Sequence, residues 1–473
     1  MWTRTRTGVY QVGVGLFLAA IAAGCGASGG SGSSGGGAGG SSGGGGGAGG
    51  ATTGSGGDEM TIGTGGQCVG LQCKQVNCGS DVTTTVKGQV FAPDGATPLY
   101  NVVVYVPNAP LSPFTDGATC DKCGSTLSGE PLVTALTDTS GSFVLENVPA
   151  GDAIPLVMQV GKWRRQVTMP TIAACAENAL ADPELTRLPK NHTEGDIPKI
   201  ALTTGGADPL ECLLRKIGID DAEISNSSGD GRVHLFHGSG GSSRFTSAIQ
   251  GGASFAEAWD LWDDKWSLMA YDVVLTACEG GQNPDEKGPA ALQAMFDYTS
   301  SGGRVFASHW NNYWLESGPA PFPETATFNH QADLPNPIVA LVDTTFPKGQ
   351  ALAQWLVNVG ASSTLGQIEI KEAQHTVDAA NPAISQQWIY QPDYSSVQYF
   401  TFNTPIDALP ESQCGRVVFS DIHVSSGDQT GQDFPSGCVT TEMSPQEKAL
   451  LFMLFDLSSC VQPDDTPPEE PPT

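Results

Sequence analysis

From Asp208 onward, short unbroken apolar runs alternate with helix-like segments, and this alternation restricts the fold more than any other feature. The runs are "GRVHLF", "YDVVLTAC", "GGRVFASH" and "GRVVFSDIHVS". Among them lie "DPLECLLRKIG", a segment opened by Ser254 and Glu257, "PAALQAMFDYTSS", "KGQALAQWLVNVG" and a closing "SPQEKALLFMLFDL" with its own capping box. A strand without polar positions is covered on both faces. Strands of that kind interleaved with helices predict an α/β flavodoxin-like parallel-sheet domain over residues 208–460. In "DPLECLLRKIG", Asp208 reads as N-cap, Pro209 as N1, Glu211 as N3, and Gly218 stands beyond the end.

Residues 83–170 follow a different grammar. "TTVKGQVFA" alternates, "PDG" turns, "YNVVVYVP" is β-branched, and "TDTSGSFVLENVPAG" is strand, turn, strand. They predict a small all-β sandwich ahead of the α/β domain. The phrases "GQVFAPDGATPLYNVVVYV" and "TDTSGSFVLENVPAG" resemble the carboxypeptidase regulatory-like domain, a transthyretin-like β-sandwich. The cysteine-bearing stretch from Pro107 to Gly129 departs from that pattern. The resemblance implies an accessory module rather than a carboxypeptidase, and no H-E-x-x-H metalloprotease motif is present. Within "GKWRRQV", Arg164 and Arg165 read either as an anion patch or as cations guarding an edge strand.

The ends of the chain have other compositions. Residues 1–25 carry Arg4 and Arg6, an apolar run from Val9 to Ala23, and "AAGC". That is a lipoprotein signal peptide with Cys25 as the lipidation site, its apolar run too short to span a bilayer. With Gly26 next, the expected location is the outer membrane, facing periplasm or cell surface. Residues 26–66 form a Gly/Ser-rich disordered tether, 67–82 a Cys-rich segment, 171–207 a linker, and 461–473 a disordered Pro/acidic tail. The net charge of −28 accompanies only 15% charged residues, because Lys and Arg are scarce. That balance argues against nucleic acid as a partner and leaves the Cys25 lipid as the link to the membrane.

Twelve cysteines less Cys25 leave eleven, an odd number, so one thiol stays unpaired within the chain. Cys278, ending a buried strand, is the expected one. For Cys68, Cys73, Cys78, Cys120 and Cys123, disulfides are expected over a zinc knuckle in an oxidising compartment.

Ligands of open α/β sheets bind at the carboxyl ends of the strands. Those ends here read "HGSGGSSRF", "CEGGQN", "HWNNYW" and "DIHVSSGD". They gather His309, Glu279, Asn311, Asp421 and His423 from distant parts of the chain. The phrases "YDVVLTACEGG", "ALQAMFDYTSSGGRVFASHW" and "CGRVVFSDIHVSS" resemble the class I glutamine amidotransferase-like fold and, within it, the ThuA-like branch. The resemblance implies that His309 replaces the nucleophilic cysteine of true amidotransferases, so that activity is not expected.

Three readings of His309 stay open. It joins His423 and Asp421, with Glu279, around a divalent metal ion; it is a general base held by Asp421 or Glu279; or it caps strand ends structurally. Cys278 reads as a buried thiol rather than a nucleophile, because Glu279 beside it would raise its pKa. Trp310, Tyr313 and Trp314 offer a stacking platform for sugar rings, with Asn311 and Arg244 as polar ligand contacts. The first functional reading is a binding role toward cell-envelope or surface carbohydrate, the ligand class coming from the resemblance alone. The alternatives are a hydrolase of a polysaccharide, ester or amide using His309, His423, Asp421 and Glu279, and a structural surface protein.

Overall fold

The computed structural model describes residues 68–79, 82–125, 127–424 and 427–472. The signal peptide, Cys25 and the tether lie outside the described residues.

Six strands open the fold: β1 (Thr85–Gln89), β2 (Val103–Pro107), β3 (Pro131–Leu136), β4 (Ser142–Leu145), β5 (Pro155–Val160) and β6 (Trp163–Thr168). A seventh, β7 (Glu177–Ala179), pairs parallel with β1 and makes the three-stranded sheet β4-β1-β7. The second sheet, β3-β2-β5-β6, is antiparallel throughout. Period-two patterning drives both: β3 buries Pro131, Val133 and Ala135 while its intervening residues are half-exposed. Val86, Phe143 and Leu145 of the first sheet share one core with Val104, Leu156 and Met158 of the second.

The short helix α1 (Pro183–Thr186) leads to β8 (Ile200–Thr203), helix α2 (Leu210–Lys216), β9 (Ile224–Asn226), β10 (Val233–His237) and β11 (Ala256–Glu257). Then come α3 (Ala258–Trp262), α4 (Lys265–Met269), β12 (Val273–Thr276), α5 (Pro289–Ser300), β13 (Arg304–Ser308) and α6 (Tyr313–Glu316). The last elements are β14 (Ala326–Phe328), β15 (Ile338–Val342), α7 (Pro347–Asn358), β16 (Gln367–Ile370), β17 (Val377–Ala380), β18 (Gln386–Gln391), β19 (Ser396–Thr404), β20 (Gly415–Ser420) and α8 (Pro445–Ser458).

An 11-stranded sheet organises this part, in the order β11-β10-β8-β12-β13-β20-β19-β18-β15-β16, with β9 beside β10. From β11 to β20 neighbours run parallel. In chain order, β10-β8-β12-β13-β20 is the sequence 2-1-3-4-5 of doubly wound sheets, whose order reverses between β8 and β12. Residues of these strands are buried almost throughout, and successive ones go to opposite faces. Ile200, Leu202, Leu275, Phe306 and Val418 face α2 and α8, whereas Ala201, Val274, Val305, Ala307 and Val417 face the layer of α3 to α6.

The sheet is mixed rather than parallel. β19, β18, β15 and β16 continue it antiparallel. Their connections include the tight turn Pro392–Tyr394 with Ser395 at φ +49°, too short for a crossover helix. The stretch assigned to a linker contributes β8, which stands between β10 and β12. α2 begins at Leu210 without a side-chain cap, because the Asp208 carboxylate is engaged elsewhere. Likewise Glu257 pairs with His237 at 2.9 Å instead of supporting one long helix, and α4 starts anew at its own N-cap, Asp264. The box of Ser444 and Glu447 does cap α8.

The sandwich strands pack directly on α8: Tyr100 stacks on Phe452 at 5.9 Å, and Trp163 lies 5.5 Å from Phe455. Gly161, at φ +54°, is required in the β5–β6 turn because a Cβ there would meet the Ser458 carbonyl oxygen at 1.8 Å. Lys162 reaches Asp272, before β12, at 2.5 Å with both side chains buried. Disulfides Cys120–Cys414 and Cys123–Cys460 staple the cysteine-bearing stretch to the sheet and to the end of α8. Cys68–Cys73, Cys78–Cys175 and Cys212–Cys438 complete the set, so Cys120 and Cys123 serve no zinc knuckle. Among the described residues Cys278 alone is free, as expected.

Residues after 460, expected as a disordered tail, are packed as far as they are described. Asp464 pairs with Arg416 at 2.6 Å, and Thr134 donates to the Pro471 carbonyl. Arg416 is 1% exposed and Lys348 is buried beside it, so two cations share the carboxylates of Asp456 and Asp464.

Candidate functional site

The carboxyl ends of β12, β13 and β20 converge beside the point where strand order reverses. β8 closes in on them: a Cβ on Gly205 would lie 2.1 Å from the Cys278 carbonyl oxygen. β13 ends at Ser308, and His309 takes φ +43° before the chain coils into the turn His309–Asn312. A non-glycine residue in this left-handed region costs roughly 1–3 kcal/mol, tolerated where surroundings fix it. The elbow turns the imidazole inward.

There His309 Nδ1 lies 3.4 Å from Cys278 Sγ, and its ring centroid is 5.1 Å from that of His423. All three residues are buried. The Gly280 backbone N–H donates to Cys278 Sγ at 3.4 Å. Gln446 Nε2 donates to the His423 carbonyl at 2.7 Å, whereas the His423 ring Nε2 is buried without a partner. Ligand atoms of Cys278, His309 and His423 all fall within 4.8 Å of one another, so these residues could hold a metal ion.

Burial pushes the Cys278 thiol up to about 12. Burial, followed by the nearby His423 and His330, pushes His309 down to about 2. The pair is therefore a neutral thiol beside a neutral imidazole. A thiolate–imidazolium nucleophile is not what this environment makes.

The carboxylates expected beside the histidines are elsewhere. Asp421 accepts from the Thr376 backbone N–H and hydroxyl, both at 2.8 Å, and burial raises its carboxyl to about 7. The cause is a bend: Ser420 Oγ accepts from the Ile422 N–H and donates to the Ile422 carbonyl, which ends the pleat before His423. Glu279 points to the opposite side from Cys278, as successive strand residues do. It pairs with buried Lys287 and accepts from the Ser239 N–H at 3.0 Å.

The residues expected to bind ligand divide. Asn311 is buried, donating to the carbonyls of Thr276 and Ala277 and accepting from Trp314 Nε1 at 3.1 Å, so it locks the elbow to the end of β12. Trp314 is 1% exposed and packs on Trp262, which removes it from any platform. Tyr313 is half-buried against the same core. Arg244 is exposed in the loop after β10, where its backbone pairs with Ser254 and its carbonyl accepts from the Phe434 N–H. Trp310 is half-buried, its ring 4.8 Å from that of His309 and 5.0 Å from that of His330.

His330 opens a polar cluster that sequence reasoning missed. It meets Glu316 at 3.0 Å and Asn312 at 3.1 Å, and Gln282 donates to Glu316 at 2.8 Å. The stretch carrying His330 offers no periodic signal. Cys278 stands out in the sequence, but only as a bystander.

No family model matches the chain, and no curated protein does. Among solved structures, a protein described as a GMP synthase from Thermoplasma acidophilum aligns at 10% identity and TM-score 0.32, covering 55% of this chain and 94% of its own. A ThuA-like protein from Bacteroides uniformis aligns at 10% identity and TM-score 0.29, covering 54% and 88%. A cohesin–X-dockerin complex from Acetivibrio cellulolyticus gives 16% identity and TM-score 0.15, over 32% and 79%. Scores this low carry no argument about fold or function.

Proposed function

We propose that this chain is an exported, lipid-anchored binding protein that takes a carbohydrate of the cell envelope at the carboxyl edge of a flavodoxin-like sheet. One observation carries the reading: half-buried Trp310 stands beside the hydrogen-bonded cluster of Gln282, Asn312, Glu316 and His330. An aromatic ring beside a few amide, carboxylate and imidazole groups is what a hydroxyl-rich ligand requires. Export is supported by five disulfides among the described residues, and anchoring at Cys25 belongs to the same proposal.

The alternatives fare less well. A hydrolase using Asp421 or Glu279 as partner of the histidines has no support, since both carboxylates are held elsewhere. A purely structural role leaves the unpartnered His423 Nε2 unexplained.

The test uses residues 60–473, which form one compact unit. Tryptophan fluorescence would be titrated with oligosaccharides released from the cell envelope. We expect saturable binding, weakened at least about tenfold in Trp310→Ala and His330→Ala by loss of a stacking ring and of its neighbouring polar contact. Absence of saturable binding to any envelope oligosaccharide, or variants that bind like the parent, would sink the proposal.

A further inference from the structure

We infer that Cys278, His309 and His423 form a transition-metal site for a zinc-class divalent ion, independent of any carbohydrate. The ligand atoms lie within 4.8 Å of one another, on three buried residues delivered by three different strand ends. A tetrahedral ion with Zn–S of about 2.3 Å and Zn–N of about 2.0 Å separates its ligand atoms by roughly 3.3–3.6 Å. The Cys278 Sγ–His309 Nδ1 distance of 3.4 Å already has that value. Closing the widest pair asks for little more than about an ångström, within reach of side-chain rotation.

Two further observations point to an ion rather than to simple packing. His423 Nε2 is buried without a partner, although its residue is 7% exposed and its carbonyl is fixed by Gln446. A buried imidazole nitrogen lacking a hydrogen bond is rare, and a metal ion would satisfy it. On the sulfur side, the Gly280 N–H already donates to Sγ, the outer contact that suits a bound thiolate.

The donor set selects the ion. One thiolate and two imidazoles favour zinc, cobalt or copper over magnesium or calcium, which require oxygen ligands. Both nearby carboxylates are committed to Thr376 and Lys287, so oxygen donors are not available. Binding replaces the thiol proton by the metal, Cys–SH + M²⁺ giving Cys–S–M⁺ + H⁺, with the proton released to solvent. Three protein ligands leave one tetrahedral position, the arrangement of ions that bind water or substrate.

Residues 60–473, freed of metal and dialysed, would be titrated with Co²⁺ and with Zn²⁺. The expected result is one ion per chain, a thiolate-to-cobalt charge-transfer band, its displacement by Zn²⁺, and proton release on binding. Cys278→Ser should abolish the band, and His423→Gln should weaken affinity at least about a hundredfold, with melting curves confirming that each variant folds. His330→Ala, which removes a group of the carbohydrate cluster, should keep full metal binding. No charge-transfer band in the folded parent, or a band unchanged in His423→Gln, would overturn the assignment. Neither outcome depends on whether oligosaccharides bind.

Discussion

Asp208 accepts a hydrogen bond from Ser308 Oγ at 2.7 Å and, through its other oxygen, one from the Val424 N–H at 3.0 Å. Ser308 immediately precedes His309, and Val424 immediately follows His423. A single fully buried carboxyl group thus bridges the neighbours of both histidines.

Removing this bridge should cost stability and loosen the site together. Asp208→Ala leaves a buried hydroxyl and a buried N–H without partners, worth about 2–4 kcal/mol. Asp208→Asn retains an acceptor and should lose less. Urea unfolding of both variants measures the order, and a harmless alanine would refute the bridge.

The packed C-terminus makes a separate prediction. Deleting residues 463–473 removes Asp464 and leaves buried Arg416 and Lys348 to share Asp456. A cation buried with half its compensation lost is destabilising by roughly 2–4 kcal/mol. Thermal unfolding of the truncated chain should show the loss, whereas a tail that merely trails in solvent would change nothing.

Thiol chemistry offers a direct count. Residues 60–473, unfolded without reductant, should titrate one thiol per chain, because the other cysteines of this stretch form disulfides. The native protein should titrate none, since Cys278 is 0% exposed. Two or more thiols on unfolding would break the disulfide assignment.

Glu211 predicts a pH dependence. Its Oε1 accepts from Ser242 Oγ at 3.1 Å, Oε2 is buried without a partner, and burial raises its carboxyl from 4.5 to about 7. The folded state therefore keeps a proton that the unfolded chain has already released. Its contribution is fully present below the unfolded value and is lost as pH rises through 7. At about 1.4 kcal/mol per pH unit, the fall is on the order of 3 kcal/mol. Glu211→Gln should match the parent near pH 4 and exceed it near pH 8. Parallel stability curves for the two proteins would refute this account.

The parallel half of the sheet was legible because strands buried on both faces leave unbroken apolar runs, as in "RVFAS" and "GRVVFS". β8 was not, since its four residues follow the polar "NHTEGDIPK" and announce no element. The antiparallel half was hidden in mixed segments such as "QQWIYQ", whose burial is irregular. At the site, counting along strand ends found His309 and His423 but misplaced Asp421. No sequence pattern announces the Ser420 bend that turns Asp421 aside, nor the positive φ that swings His309 onto Cys278. Trp314 was misread because loop aromatics and core aromatics have the same composition.

The two staples from the sandwich have a consequence for biogenesis. Cys120 and Cys123 share one short loop, yet their partners Cys414 and Cys460 lie 294 and 337 residues downstream. A chain delivered amino end first exposes this C-x-x-C pair to oxidation long before either correct partner arrives. Its native cross-links close only after nearly the whole polypeptide has crossed, so a premature Cys120–Cys123 bond must be reshuffled before maturation can finish.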